Sequence, residues 1–179
     1  MLRLILLRHS KAARYSSGGD HQRALEPRGI EDATRVGDYL AAEHIVPDAS
    51  VVSDALRTRQ TLEAATKHWR EKPKAFVETT LYHADAETLL YRLHETPDRV
   101  KTMFVVGHNP GLADLSVELV GYGDRYAMSR LCDRFPTTAM AIIDFDVDHW
   151  AEVQPRSGRL DRFVTPSSLT NGDVQDLDG

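Results

Sequence analysis

The stretch Leu4-Ile5-Leu6-Leu7-Arg8-His9-Ser10 decides how this chain is read, and Phe104-Val105-Val106-Gly107-His108-Asn109-Pro110 repeats its logic further on. In both, an apolar run without polar alternation stops at or just before a histidine. A strand that is apolar on both sides belongs inside a parallel sheet covered on both faces, whereas a half-exposed strand alternates. The first run starts at Leu2 and is too short for a signal peptide, because it meets Arg8-His9 before any small-residue cleavage site. No other stretch approaches the length of a membrane-crossing helix, so no membrane is expected as a partner and the expected location is the cytoplasm.

Strand and helix signals alternate outward from these two runs. Pro27 opens a helix whose apolar stripe is Ile30, Ala33, Thr34, Val36, Gly37, Leu40 and Ala41, and Pro47 ends that stretch. Short strands are expected at Ser50–Ser53 and Phe76–Val77, with helices at Ala55–Trp69, Ala86–His94 and Leu112–Val120. Further strands are expected at Met103–Val106 and Ala139–Phe145, with Leu160–Val164 as a last edge strand. This alternation predicts an α/β fold of three layers, α/β/α, around a mainly parallel sheet. Residues 1–164 read as one domain, and the polar, acidic stretch 165–179 reads as a mobile tail.

Composition sets bounds. The 179 residues carry a net charge of -5, which argues against a nucleic-acid partner while leaving room for a local cationic pocket. The single cysteine, Cys132, excludes an internal disulfide, fits a reducing compartment and reads as a small buried hydrophobe. Eight histidines without zinc-type spacing, and no thiolate cluster, point to no metal. His21, His44, His68, His83, His94 and His149 read as surface residues, and Trp69 and Trp150 as packing residues.

In open α/β sheets ligands gather outside the carboxyl ends of the strands. His9 and His108 stand there, and a third strand ends at Ser53-Asp54-Ala55-Leu56-Arg57-Thr58, which puts Arg57 in the first turn of a helix. A cation is unfavourable at a helix N-terminus, so Arg57 is placed to meet an anion. With Arg8, two guanidinium forks and two imidazoles would converge on one rim, which is what phosphoryl transfer asks for. A neutral histidine can be the nucleophile if one ring nitrogen stays free and the other donates to an acceptor. Nearby arginines favour that neutral form.

Arg8-His9-Ser10 resembles the Arg-His-Gly signature of the histidine phosphatase superfamily. The ordered set Leu7-Arg8-His9-Ser10-Lys11-Ala12, Arg23-Ala24-Leu25 with Gly29, Ser53 to Thr58, Leu81-Tyr82 and Val106-Gly107-His108-Asn109-Pro110-Gly111 is similar to its phosphohistidine phosphatase (SixA-type) branch. The resemblance spans about Leu2 to Phe145. It implies a phosphoglycerate mutase-like fold, His9 as a transiently phosphorylated nucleophile, and Arg8, Arg57 and His108 on the phosphoryl oxygens, with His108 also stabilising developing charge. It implies no metal and no other cofactor.

Two departures bear on the substrate. Ser10 replaces the usual glycine. Related enzymes that cleave phosphate esters carry an acid either directly after the second histidine, where Asn109 stands here, or in the loop after the third strand, where Asp85 and Glu87 lie without a settled register. No acid is assigned. General acid catalysis contributes about 10²–10⁴-fold, and an alkoxide needs it more than an imidazole does. The expected substrate is therefore a phosphohistidine-bearing signalling or phosphotransfer protein. A small-metabolite phosphomonoesterase or mutase is the alternative, and a catalytically silent phosphate-binding module a third reading that would require a lost nucleophile or arginine. Lys11, Asp20 and Arg23 form either a substrate-contacting lid or a solvated loop, and Pro136-Thr137-Thr138 either lends a hydroxyl to the pocket or is an ordinary turn.

Overall fold

Successive side chains of a strand point to opposite faces. In the computed structural model, which describes residues 1–170, the first strand β1 (Leu2–Arg8) accordingly sends Leu2, Leu4 and Leu6 into one apolar cluster and Ile5 and Leu7 into another. The chain continues through α1 (Pro27–Ala42), β2 (Ala49–Ser53), α2 (Leu56–Ala65), β3 (Lys74–Glu78), α3 (Ala86–His94) and β4 (Thr102–Gly107). It ends with α4 (Gly111–Leu119), β5 (Val120–Gly123), α5 (Arg125–Asp133), β6 (Met140–Phe145), β7 (Gly158–Val164) and α6 (Pro166–Thr170).

The seven strands form one sheet in the order β3-β2-β4-β1-β6-β7-β5. Among them β6 alone runs against the others, pairing antiparallel with β1 on one side and β7 on the other. Helices α1 and α2 cover the face of Ile5, Leu7, Phe104 and Val106 through Val36, Leu40, Leu62 and Ala65. Helices α3 and α4 cover the opposite face through Leu89, Leu93, Leu112, Leu115 and Leu119. This is the expected three-layer α/β/α arrangement with a mainly parallel sheet, and it brings the carboxyl ends of β1, β4 and β2 side by side.

Several expectations are corrected. Leu160–Val164 lies in β7, which is flanked by β6 and β5 and is not an edge. The edge beyond it is β5, built from Val120-Gly121-Tyr122-Gly123, where two glycines erase the apolar signature of a strand. Helix α5 also escapes a periodicity reading, because Leu131 is its only buried residue. Cys132, next along that helix, is exposed and not a buried hydrophobe. Helix α2 stops at Ala65, short of Trp69, and Ile30 of the expected α1 stripe faces solvent. The tail does not begin at Thr165: Pro166–Thr170 form α6 against α1, with Ser168 buried and Leu169 packed on the α1–α2 core cluster. Residues 171–179, the rest of the expected tail, lie outside the described residues.

At the start of β1, away from the histidines, the buried Asp144 carboxylate accepts from Arg3 Nε at 2.7 Å, Arg3 Nη2 at 2.8 Å and Arg159 Nη2 at 2.8 Å. This ties β1, β6 and β7 together below the site. Nearer the site, α1 and α2 cross so closely that a Cβ on Gly37 would stand 1.7 Å from the Ala65 carbonyl oxygen. Trp69 Nε1 donates to the Gly37 carbonyl at 2.8 Å across the same crossing. Replacing Gly37 with alanine must push α2 away from α1. Gly37→Ala is therefore expected to lower the unfolding free energy by about 2–3 kcal/mol, read as a lower urea midpoint at unchanged slope. An unmoved midpoint would show that the crossing has slack.

Candidate active site

His9 stands where β1 leaves the sheet, its N–H donating to the Gly107 carbonyl at 3.0 Å while the Arg8 N–H donates to Ala139 at 3.1 Å. Its Nδ1 lies 2.8 Å from the Ser10 carbonyl oxygen. A carbonyl can only accept, so Nδ1 carries the proton and Nε2 keeps a free lone pair. Ser10 is itself fully buried and pinned: its N–H donates to Thr61 Oγ1 at 2.9 Å, and its hydroxyl accepts from Thr138 Oγ1 at 2.8 Å. Thr61 in turn donates to the Arg57 carbonyl at 2.7 Å, which links the histidine loop to the first turn of α2.

Arg57 is 1% exposed although it carries a permanent charge. Its Nη1 donates to the Asp20 carbonyl at 3.0 Å, and Nη2 to Asp20 Oδ2 at 3.2 Å and His108 Nδ1 at 3.3 Å. A guanidinium only donates, so His108 Nδ1 accepts and its Nε2–H donates to Ser53 Oγ at 2.8 Å. Both imidazoles are thus held neutral. Burial pulls His9 down from 6.5 to about 4, the Arg57, Arg8 and Arg23 charges reinforcing it and the Ser10 bond opposing it. Burial and then Arg57 pull His108 to about 3. The two rings lie 5.4 Å apart, centroid to centroid.

Arg8 donates through Nη1 to the Phe135 carbonyl at 3.0 Å. The Nε–H groups of Arg8 and of Arg57 are both buried and meet no acceptor among the described residues. Buried donors without partners are rare, and these two belong to the cations whose charges act on His9, which suits them to an incoming oxyanion. The four residues singled out from the sequence, Arg8, His9, Arg57 and His108, do come together.

Other residues at the mouth carried little or no sequence signal. Asp20, on a 3₁₀ turn in the loop after β1, accepts from Arg57, from Arg23 Nε at 2.8 Å and from the Tyr82 hydroxyl. Tyr82 and the neighbouring cations hold the Asp20 carboxyl well below the usual carboxylate range. The loop is fastened at its base by Glu26 N–H to the Lys11 carbonyl and Ala13 N–H to Ala24. His83, expected as a plain surface residue, has its ring 5.0 Å from that of His108 and its Nε2 3.5 Å from Asp20 Oδ2. His21 lies 4.4 Å from the Tyr82 ring and pairs with Asp54 at 3.1 Å. No motif or periodicity marked His21 or His83, because the loop after β1 and the loop after β3 meet only in the fold. Asp85 caps α3 by accepting the Thr88 N–H, Glu87 is exposed in its first turn, and Pro136-Thr137-Thr138 is a turn whose buried Thr138 hydroxyl donates to Ser10.

An α/β sheet that gathers two neutral imidazoles, the buried Arg57 guanidinium and the half-buried Arg8 at the ends of its strands defines a phosphoryl-transfer protein. The family model described as the histidine phosphatase superfamily, branch 1, matches residues 4–81. An uncharacterized protein of Mycobacterium tuberculosis is 34% identical over 162 residues, covering 89% of this chain and 99% of that one, and one of Mycobacterium leprae is 30% identical over 166. A structure assigned as phosphohistidine phosphatase SixA of Nakamurella multipartitia superposes with a TM-score of 0.81 at 28% identity over 92% of this chain and 96% of that one. A second, so assigned from Agrobacterium tumefaciens, gives 0.76 at 28% over 92% and 99%. The chain belongs to the histidine phosphatase superfamily, in its SixA-type branch, and is a phosphatase.

The neutral imidazoles make stability pH-dependent with a definite sign. Between pH 6.5 and about 4 the unfolded chain binds protons at His9 and His108 that the folded chain refuses. Stability should fall as the pH falls through that window, by up to about 1.4 kcal/mol per pH unit for each imidazole. Urea unfolding at pH 7 and pH 5 should show a smaller acid loss in His9→Gln than in the wild type. Equal losses would mean that His9 is not held neutral by the fold.

Proposed function

We propose that the protein hydrolyses protein phosphohistidine, in the cytoplasm, through a phosphoryl group carried transiently on His9 Nε2. The observation that carries the nucleophile is the Nδ1–H of His9 on the Ser10 carbonyl, which leaves Nε2 unprotonated beside Arg8 and Arg57. The lone pair attacks phosphorus and the bond to the leaving group breaks. Meanwhile the phosphoryl oxygens take up the N–H groups of the two guanidiniums, including the unpartnered Nε–H atoms. Asp20 already rests on Arg57 as an internal anion, so binding exchanges one anion for another on the same fork. Water then attacks the phosphohistidine and inorganic phosphate leaves. His108, neutral and fixed by Ser53, accepts from Arg57 Nη2 and so helps hold that fork in place.

The leaving group supports the choice of substrate. Among the described residues named at the mouth, Asp20 is held ionised and Asp85 is engaged as a cap, so neither offers the carboxylic acid proton that an alkoxide needs. An imidazole leaves more readily. The structures assigned as SixA that this chain resembles carry phosphohistidine phosphatase in their names, and a phosphohistidine-bearing signalling or phosphotransfer protein is the partner this reading implies.

Incubation with a phosphohistidine protein labelled in the phosphoryl group should leave acid-labile label on the wild type and none on His9→Ala, whose turnover is abolished while its circular-dichroism spectrum shows the fold intact. Arg57→Ala should lower turnover by about 10²–10³-fold. Comparable turnover of simple sugar phosphates would remove the substrate assignment. Activity in His9→Ala would remove the nucleophile.

A further inference from the structure

The reaction on His9 needs a proton at the leaving group and must take one back from water, and the groups nearest the reaction are committed elsewhere. His9 Nδ1–H is bound to Ser10 and His108 Nε2–H to Ser53, while Asp20 accepts from three neighbours. The Tyr82 hydroxyl donates to Asp20, and that bond raises its pKa. One titratable ring at the mouth is different. The side chain of His83 is 51% exposed, yet its ring lies 5.0 Å from His108 and 4.3 Å from Tyr82, and its Nε2 faces Asp20 Oδ2 at 3.5 Å. Its backbone stands at a φ of 51°, in the left-handed region, between the 3₁₀ turn that ends at Leu81 and the Asp85 cap of α3. An uncommon backbone conformation at the edge of a site is a reason to ask what it positions.

We propose that His83, oriented by Asp20, is the proton carrier of the reaction. In the first step the His9 Nε2 lone pair forms a bond to phosphorus as the bond from phosphorus to the substrate nitrogen breaks. The electrons of that bond stay on the substrate nitrogen, which takes a proton from the His83 imidazolium. In the second step water adds to phosphorus and gives a proton to the neutral His83 ring, the bond from phosphorus to His9 Nε2 breaks, and its electrons return to Nε2. Phosphate, the free substrate imidazole and the starting form of both histidines result. Asp20 faces Nε2 of His83 and leaves Nδ1 as the nitrogen that gives and receives the proton, the division of labour that a carboxylate imposes on an imidazole.

This inference rests on the proposed role of His9, and the test separates the two. Asparagine tolerates a left-handed backbone and carries no exchangeable ring proton, so His83→Asn is the variant of choice. Labelling of His9 is followed by rapid quench with two donors, a chemically phosphorylated histidine peptide and 2,4-dinitrophenyl phosphate, whose phenolate departs unprotonated. His83→Asn should label from the peptide about 10²–10⁴-fold more slowly, with a much smaller loss from the activated ester. Hydrolysis of the label should slow after either donor, and competitive inhibition by inorganic phosphate should stay within about twofold, since General acid function and phosphate binding are separable. Equal losses of labelling from both donors, or no loss from the peptide, would overturn the proposal. Absence of label in the wild type would overturn the His9 reading, and this one with it.

Discussion

One hydrogen bond, from His9 Nδ1–H to the carbonyl of the next residue, sets the terms for the site. It spans a single residue, so its acceptor is placed directly by the backbone that leaves β1. That backbone is held by Thr61 from α2 and Thr138 from the turn before β6. Because Thr61 also bonds the Arg57 carbonyl, the nucleophile and the buried arginine are measured against the same side chain. Loosening α2 shifts both together. In a buried setting each of these polar bonds is strong, and each would be costly to leave unmade.

Most of the framework is legible in the residues themselves. The two runs of apolar residues that end in histidine require central strands, and central parallel strands in an open α/β sheet put their carboxyl ends at a binding edge. Arg57, a cation at a helix N-terminus, was a local contradiction that only an anion resolves, and the fold places the Asp20 carboxylate on it. What could not be read has a physical reason in each case. β5 lacks apolar alternation because Gly121 lies against the Arg156 carbonyl, where a Cβ would stand 1.9 Å from the oxygen. α5 hides because it buries almost nothing. His83 acquires significance only through contacts with residues from other loops, which no local pattern encodes, and Leu81-Tyr82 belongs to the motif set without showing that its hydroxyl meets Asp20.

Asp20 shows why proximity alone does not define a role. It bonds the guanidinium that an incoming phosphoryl group needs, and it faces the exposed imidazole at the mouth. A carboxylate held so firmly ionised cannot donate a proton, but it can keep a guanidinium ordered while the site is free and keep a ring in one tautomer while the site works. An anion entering the site competes with Asp20 and not with bulk water for Arg57. Part of the desolvation of that buried cation has therefore been met by the fold in advance.

The low proton affinity of His9 argues about the fate of a phosphoryl group as well as its arrival. Burial among cations weakens the imidazole as a base, and the same surroundings make it a better leaving group once phosphorylated. A ring of ordinary basicity would hold its phosphoryl group longer and suit a mutase, which must keep the group while substrates exchange. On the proposed substrate, phosphorus passes from one imidazole nitrogen to another, an exchange of like bonds in which the environment supplies the difference. The guanidiniums lower the energy of the phosphoryl dianion when it arrives, and the depressed basicity of His9 keeps that gain from becoming a trap. Water can then complete the reaction.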